Sequence, residues 1–146
     1  LGCTCKNTQT TSQPNPDATA QGITIATTVS SADLAILDIV LRQITGQPIQ
    51  TKIPIWVNVR VKNIGVKVTG EFDVSIHIEN VSNGRIYPVG TFRQAPAQPG
   101  DIWSVQGNRD IDLPGAYKVV AEVSPFAWIE TNLSNNKMEY FFNVIQ

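Results

Sequence analysis

The sequence predicts an all-β protein, a Greek-key β-sandwich of about seven strands with an extended N-terminal tail. Two observations carry this. Four segments alternate apolar and polar residues at period two, as strands do when one face meets a core and the other meets water. Turn-forming pairs fall between them, at Asn63-Ile-Gly65, Asn83-Gly84, Pro99-Gly100-Asp101 and Pro114-Gly115.

Taken in order, the first element is the tail, residues 1–31. Residues 4–22 are almost all Thr, Ser, Gln, Asn, Pro, Asp, Ala and Gly, with one lysine, Lys6. Such a stretch has too little apolar surface to offset its ordering entropy and reads as a linker. From Gly22 to Val29 the pattern changes. Ile23, Ile25, Thr27 and Val29 fall on one side at period two, which is a short strand pattern.

Residues 32–146 form the predicted sandwich domain. Asp33 to Leu41 is a nearly continuous apolar run whose periodicity fits a helix or a strand equally, and the segments after it decide for a strand. Ile55, Val57, Val59 and Val61 alternate with Trp56, Asn58, Arg60 and Lys62. Phe72, Val74, Ile76 and Ile78 alternate with Asp73, Ser75, His77 and Glu79. Tyr117, Val119, Ala121 and Val123 repeat the pattern, and Met138, Tyr140, Phe142 and Val144 close it. Residues 85–92 and 101–113 supply two less regular strands, and the long 124–137 connection favours two sheets over a closed barrel.

Composition excludes several functions. The chain has 146 residues, 11 basic and 12 acidic, and a net charge of -1. No basic stripe marks a nucleic-acid surface. No run approaches the roughly 18 apolar residues of a membrane-spanning helix. No charged start precedes an apolar segment, as expected for a processed, extracellular or cell-surface chain. The two cysteines, Cys3 and Cys5, lie in the tail, and with His77 they are too few for a structural zinc site. Leu1-Gly-Cys3 resembles the end of a bacterial lipobox, which leaves lipid attachment or a bond to another subunit as roles for these thiols. A bridge between Cys3 and Cys5 would close a very small ring.

No catalytic residue is expected. His77 is the only histidine and shares a strand face with Ser75 and Glu79. Side chains standing parallel on an open sheet do not converge into a triad with an oxyanion hole. Asp110, Asp112 and Glu130 lack the cleft of a glycosidase and the compact acidic loop of a calcium site. Neither a cofactor nor a metal is expected. Trp56, Trp103 and Trp128 read either as rings capping the core or, for Trp56 and Trp128 with Asn132 and Asn135, as a carbohydrate-binding surface. Asn63 and Gly65 read as turn residues, Gly65 supplying positive φ. Asn135 and Asn136 read as amides tying the long loop to backbone groups without ladder partners.

Three segments resemble the CARDB family, bacterial and archaeal cell-adhesion-related domains. Ala32-Asp-Leu-Ala-Ile-Leu-Asp-Ile39 is similar to the family's opening strand. Val57-Asn-Val-Arg-Val-Lys-Asn-Ile-Gly65 with Gly70-Glu-Phe-Asp-Val-Ser-Ile76 resembles its central hairpin. Pro114-Gly-Ala-Tyr-Lys-Val-Val-Ala-Glu-Val123, with Trp128-Ile-Glu-Thr-Asn-Leu-Ser-Asn-Asn136, resembles its closing strand and Asn-rich loop. The resemblance departs at Ser124-Pro125, where relatives often carry Asp-Pro, and at Leu133, where they often carry an acid. It implies an immunoglobulin-like fold, an extracellular setting and an adhesion role, with no reaction.

Two functions follow as expectations. The first is a structural subunit of a surface filament or sheath. There, Ile23 to Val29 adds as a strand to an exposed sheet edge of another copy, the alternative being that Gly22–Val29 adds to its own domain. The second is a surface-anchored ligand-binding accessory module that contacts other cell-surface components through Trp56, Trp128 and the Asn-rich loop.

Overall fold

The structure is a computed structural model and describes residues 31–146. Cys3, Cys5 and the strand pattern at Ile23, Ile25, Thr27 and Val29 lie outside the described residues.

Seven strands build two antiparallel sheets: β1 (Leu34–Arg42), β2 (Ile55–Asn63), β3 (Phe72–Asn80), β4 (Ile86–Gln94), β5 (Ile102–Arg109), β6 (Gly115–Pro125) and β7 (Lys137–Val144). One sheet runs β1-β2-β5 and the other β4-β3-β6-β7. This is the two-sheet Greek-key sandwich expected from sequence. The two less regular strands form at Ile86–Gln94 and Ile102–Arg109. The second stops at Arg109 because Asp110 to Pro114 turns the chain toward β6.

The core lies where the alternation puts it. Ile55, Val57, Val59 and Val61 of β2 are fully buried, as are Phe72, Val74 and Ile78 of β3 and Tyr117, Val119 and Ala121 of β6. Burying each such large side chain is worth about 1.5–3 kcal/mol, so the two inner faces supply most of the drive to fold. Tyr117 adds a directional tie. Its ring meets Tyr87 edge-on at 6.0 Å between centroids, and its hydroxyl donates to the Leu113 carbonyl at 2.7 Å. This is a tyrosine corner at the start of the second-last strand.

The apolar run of β1 has a structural cause. Pairing with β2 slips between Ile36 and Asp38, so Leu37 bulges outward. Leu34 and Ile36 face inward before the bulge, and Ile39 faces inward after it. The change of phase turns an alternating strand into a nearly continuous hydrophobic run broken at Asp38.

Two expectations need correcting. Gly65 does not supply positive φ; that conformation falls at Gly84 and Gly100, in the neighbouring turns. Gly65 instead donates its N–H to Asn63 Oδ1 at 3.0 Å, an Asx turn that needs no left-handed residue. The inward face of the last strand is only partly covered: Val144 is buried and Met138 and Phe142 pack half-buried against the core, while Tyr140 is 45% exposed, because β7 is an edge strand with cover on one side.

Chain direction places the two ends of the domain at opposite poles. The first pole gathers Asp33, the start of β1, and the loop 126–136, with Ile36 N–H donating to the Asn135 carbonyl. The second gathers the end of β1, the loop 43–54, and Ile145, whose N–H donates to the Ile49 carbonyl.

Candidate functional site

Three regions carry the side chains singled out from sequence. The first is the loop 126–136 at the first pole. Asn136 is buried and donates to Glu130 Oε1 at 2.6 Å, with a longer contact to the Val123 carbonyl at 3.4 Å. Glu130 is buried too, and its other oxygen accepts from the Leu34 N–H. Asn135 and Asn132 both donate to Asp33, at 3.0 Å and 3.3 Å. The Asn-rich loop thus clamps the start of β1. Burial pushes the Glu130 carboxyl above the usual carboxylate range, against the lowering effect of its hydrogen bonds, and neighbouring Asp33 pushes it further up.

Trp128 belongs to the same loop but lies against the segment that leads into β3. Its indole N–H donates to the Glu71 carbonyl at 2.7 Å. Its ring covers Gly70 so closely that a Cβ there would lie 2.5 Å from Trp128 Cδ1. Trp56 is elsewhere. It pairs with Arg42, nine residues along β1 from Asp33, which is about 30 Å at strand rise. The structure therefore does not bring Trp56 together with Trp128, Asn132 and Asn135. Trp103 packs against the core, as a ring capping the interior should.

The second region is the polar outer face of the four-stranded sheet. His77 Nε2 lies 3.6 Å from Glu79, while Ser75 Oγ lies 3.5 Å from Thr91 Oγ1 on β4. The hydroxyl meets another hydroxyl rather than the imidazole, so the three side chains form no relay. The same sheet carries Arg93, held by Asp73 at 2.6 Å and stacked 3.6 Å from the Phe126 ring. At the second pole, Arg85, Tyr87, Arg109, Asp110 and Asp112 line a cavity of about 190 Å³. There Tyr87 donates its hydroxyl to Asp112 at 3.0 Å under the Arg85 guanidinium. Asn80 is buried and accepts from the Ser82 and Asn83 N–H groups, and Asn132 donates to Asp33.

The third region, missed from sequence, is the outer edge of β7. Val123 N–H donates to the Asn136 carbonyl, and β6 and β7 keep one register through to Val144. Antiparallel pairing alternates. Met138, Tyr140, Phe142 and Val144 therefore exchange main-chain bonds with β6, and the main-chain groups of Glu139, Phe141 and Asn143 point the other way. Among the described residues no strand pairs with that side. The chain seals the two ends of this edge, at Asn135 by Ile36 and at Ile145 by Ile49 and Thr51. Between the seals, Tyr140 is 45% and Phe141 63% exposed, one on each face. The other flank is closed. β4 carries Pro88 and a register slip beside Gly90, and Gly107 of β5 packs against Val89 and Phe92 of β4.

The architecture defines the protein as an immunoglobulin-like sandwich with the fold of CARDB, cell-adhesion-related, domains. No family model matches the sequence, and no curated protein matches it. Solved structures match it well. A CARDB domain from Pyrococcus furiosus, solved in complex with di-metal ions, superposes with a TM-score of 0.62 at 20% identity, over 80% of this chain and 96% of that one. The C-terminal domain of wzt matches at TM-score 0.56 and 12% identity, over 80% of this chain and 76% of that one. β-Glucosidase 3B from Thermotoga neapolitana matches at TM-score 0.54 and 14% identity, but this chain covers 16% of the enzyme. Among the described residues no helix is long and apolar enough to cross a membrane, and no three His, Cys, Asp or Glu side chains gather as a metal site.

Proposed function

We propose that this chain is a non-catalytic extracellular adhesion module that polymerises into a surface filament by N-terminal strand addition. The observation that carries the reading is the open edge of β7. It offers the outward main-chain groups of Lys137, Glu139, Phe141 and Asn143, unpaired among the described residues, and leaves the inward-phase side chain of Tyr140 45% exposed. A strand laid there completes the ladder and buries both aromatic rings. The segment Ile23 to Val29 has the matching length and alternation. The opposite poles at which the domain starts and finishes suit a head-to-tail array, whose contacts do not close and so extend indefinitely.

The carbohydrate-binding alternative has less support, since its aromatic and amide residues are separated or already engaged. The fold-level likeness to CARDB domains agrees with an adhesion setting. The test is negative-stain electron microscopy of the full chain and of a chain lacking residues 1–30. Filaments from the first and monomers from the second are expected. Filaments from the truncated chain refute strand addition.

A further inference from the structure

The first pole carries an exposed surface that strand addition does not use. Two loops meet there, 64–69 after β2 and 126–136 before β7. Asp33 ties them together. Its carbonyl accepts from the Ile64 N–H at 2.7 Å, and its carboxylate accepts from Asn132 and Asn135. Trp128 makes a second tie just past the first loop, with its ring over Gly70 and its indole N–H on the Glu71 carbonyl. Asn63 Nδ2 holds the first loop through the Lys67 carbonyl at 2.7 Å. The loops are therefore held in place before any partner arrives, and docking has little left to order.

A loop that merely turns the chain is polar, as Ser82-Asn83-Gly84 is. These two are not. Ile129 is 90%, Leu133 62% and Val66 61% exposed, and Ile64 and Val68 are half exposed. Single exposed apolar side chains need no explanation, but five on two adjoining loops do. The charge of the loops is one-sided. Lys67 stands between Val66 and Val68, and among the described residues no carboxylate lies within ion-pairing distance of it. Glu130, the only acid in either loop, is buried.

We propose that this pole docks on an anionic lipid bilayer. Ile64, Val66, Val68, Ile129 and Leu133 enter the boundary between headgroups and acyl chains, and Lys67 meets lipid phosphate. Three observations favour a bilayer over a protein partner. The exposed side chains are aliphatic, whereas protein interfaces are anchored by Trp, Tyr and Arg. The rings at this pole are already engaged, Trp128 by Gly70 and Glu71 and Phe126 by the Arg93 guanidinium. The unpaired lysine complements acidic headgroups and can reach them along its own apolar stem while the flanking valines enter the lipid. The tail joins the domain at this same pole, through Ala32 and Asp33, so a lipid carried at Cys3 holds these loops nearer the membrane than the second pole.

The test uses the full chain with both thiols unmodified, confirmed by mass spectrometry, and vesicles of mixed phosphatidylcholine and phosphatidylglycerol. Co-flotation measures binding. Quenching of tryptophan emission by brominated acyl chains reports insertion, since Trp128 neighbours Ile129. The parent chain is expected to float and to be quenched. Ile129→Ser and Leu133→Ser should each weaken partition about tenfold, the effect of one aliphatic side chain withheld from the lipid, and the pair about a hundredfold. Lys67→Gln should weaken binding to the mixed vesicles about fivefold and leave the weaker binding to phosphatidylcholine alone unchanged. Ile44→Ser, 92% exposed at the opposite pole, should bind as the parent does. These side chains are all exposed, so Tm should hold in every variant. A parent chain that stays unbound overturns the proposal. So does binding that the double substitution leaves intact, that Ile44→Ser abolishes, or that Lys67→Gln leaves at the parent level on mixed vesicles. Lipid-free self-association that Ile129→Ser removes, measured by analytical ultracentrifugation, would assign this pole to a second copy and overturn it as well.

Discussion

Removing the Asn63 amide should cost this domain a large share of its stability. Asn63 is fully buried at the end of β2 and serves three segments at once. Its Oδ1 accepts from the Asp33 N–H at 3.2 Å and the Gly65 N–H at 3.0 Å. Its Nδ2 donates to the Lys67 carbonyl at 2.7 Å and the Ala97 carbonyl at 3.0 Å. Asn63→Ala strips all of these. The Ala97 carbonyl keeps a second donor, Thr69 N–H at 2.9 Å. The contacts to Asp33, Gly65 and Lys67 are only part-buried, so water recovers some of the loss. With about 1–3 kcal/mol for each polar group left unsatisfied, and partial rescue by water, the expected loss is about 3 kcal/mol. A domain of this size holds about 5–15 kcal/mol in total, and its Tm should fall by about 10–15 °C. Urea and thermal unfolding monitored by circular dichroism measure both. Asn63→Asp should be no better, because it keeps the acceptor but points charge at two carbonyls. A loss below about 1 kcal/mol for Asn63→Ala would show that the turn holds itself and that the amide is incidental.

Two further outcomes follow from the geometry. Glu139→Pro should leave the monomer folded, since the N–H it removes points away from β6, but it should abolish filaments by blocking the free edge of β7, as electron microscopy would reveal. At high pH, Tyr87 should ionise well above the ordinary phenol value. Burial, helped by its bond to Asp112, pushes its phenol up to about 12 from an ordinary 10.0. The unfolded chain ionises first, so the stability associated with this group is intact below pH 10.0 and declines as pH climbs toward about 12. Absorbance titration near the phenolate band, with Tyr87→Phe as control, checks this; a Tyr87 transition at the ordinary value contradicts it.

Much of the fold was legible because local patterning and tertiary burial agree. In β2, β3 and β6 each inward residue of the period-two pattern is buried, so one line of sequence reports both strand and face. β1 was ambiguous for a physical reason. The bulge at Leu37 shifts the inward phase, and nothing local announces it. β7 misled in the opposite way. Its alternation is real, but exposure depends on whether a further strand lies beside it, which is a property of topology. The candidate sites were less legible still. The Asn135 and Asn136 amides were expected to tie the loop, yet their carboxylate partners include Asp33, far away in the chain. The Trp56–Trp128 pairing failed because residue type says nothing about which pole a strand's end occupies.

The placement of the domain's two ends has a mechanical consequence. Tension applied between Asp33 and Ile145 pulls upward on β1 and downward on β7. Each of these strands is anchored along its length to an antiparallel neighbour, β2 and β6 respectively. The load therefore runs parallel to both strands, and their hydrogen bonds must yield together in shear. A domain whose ends emerged at one pole would instead be peeled open one bond at a time.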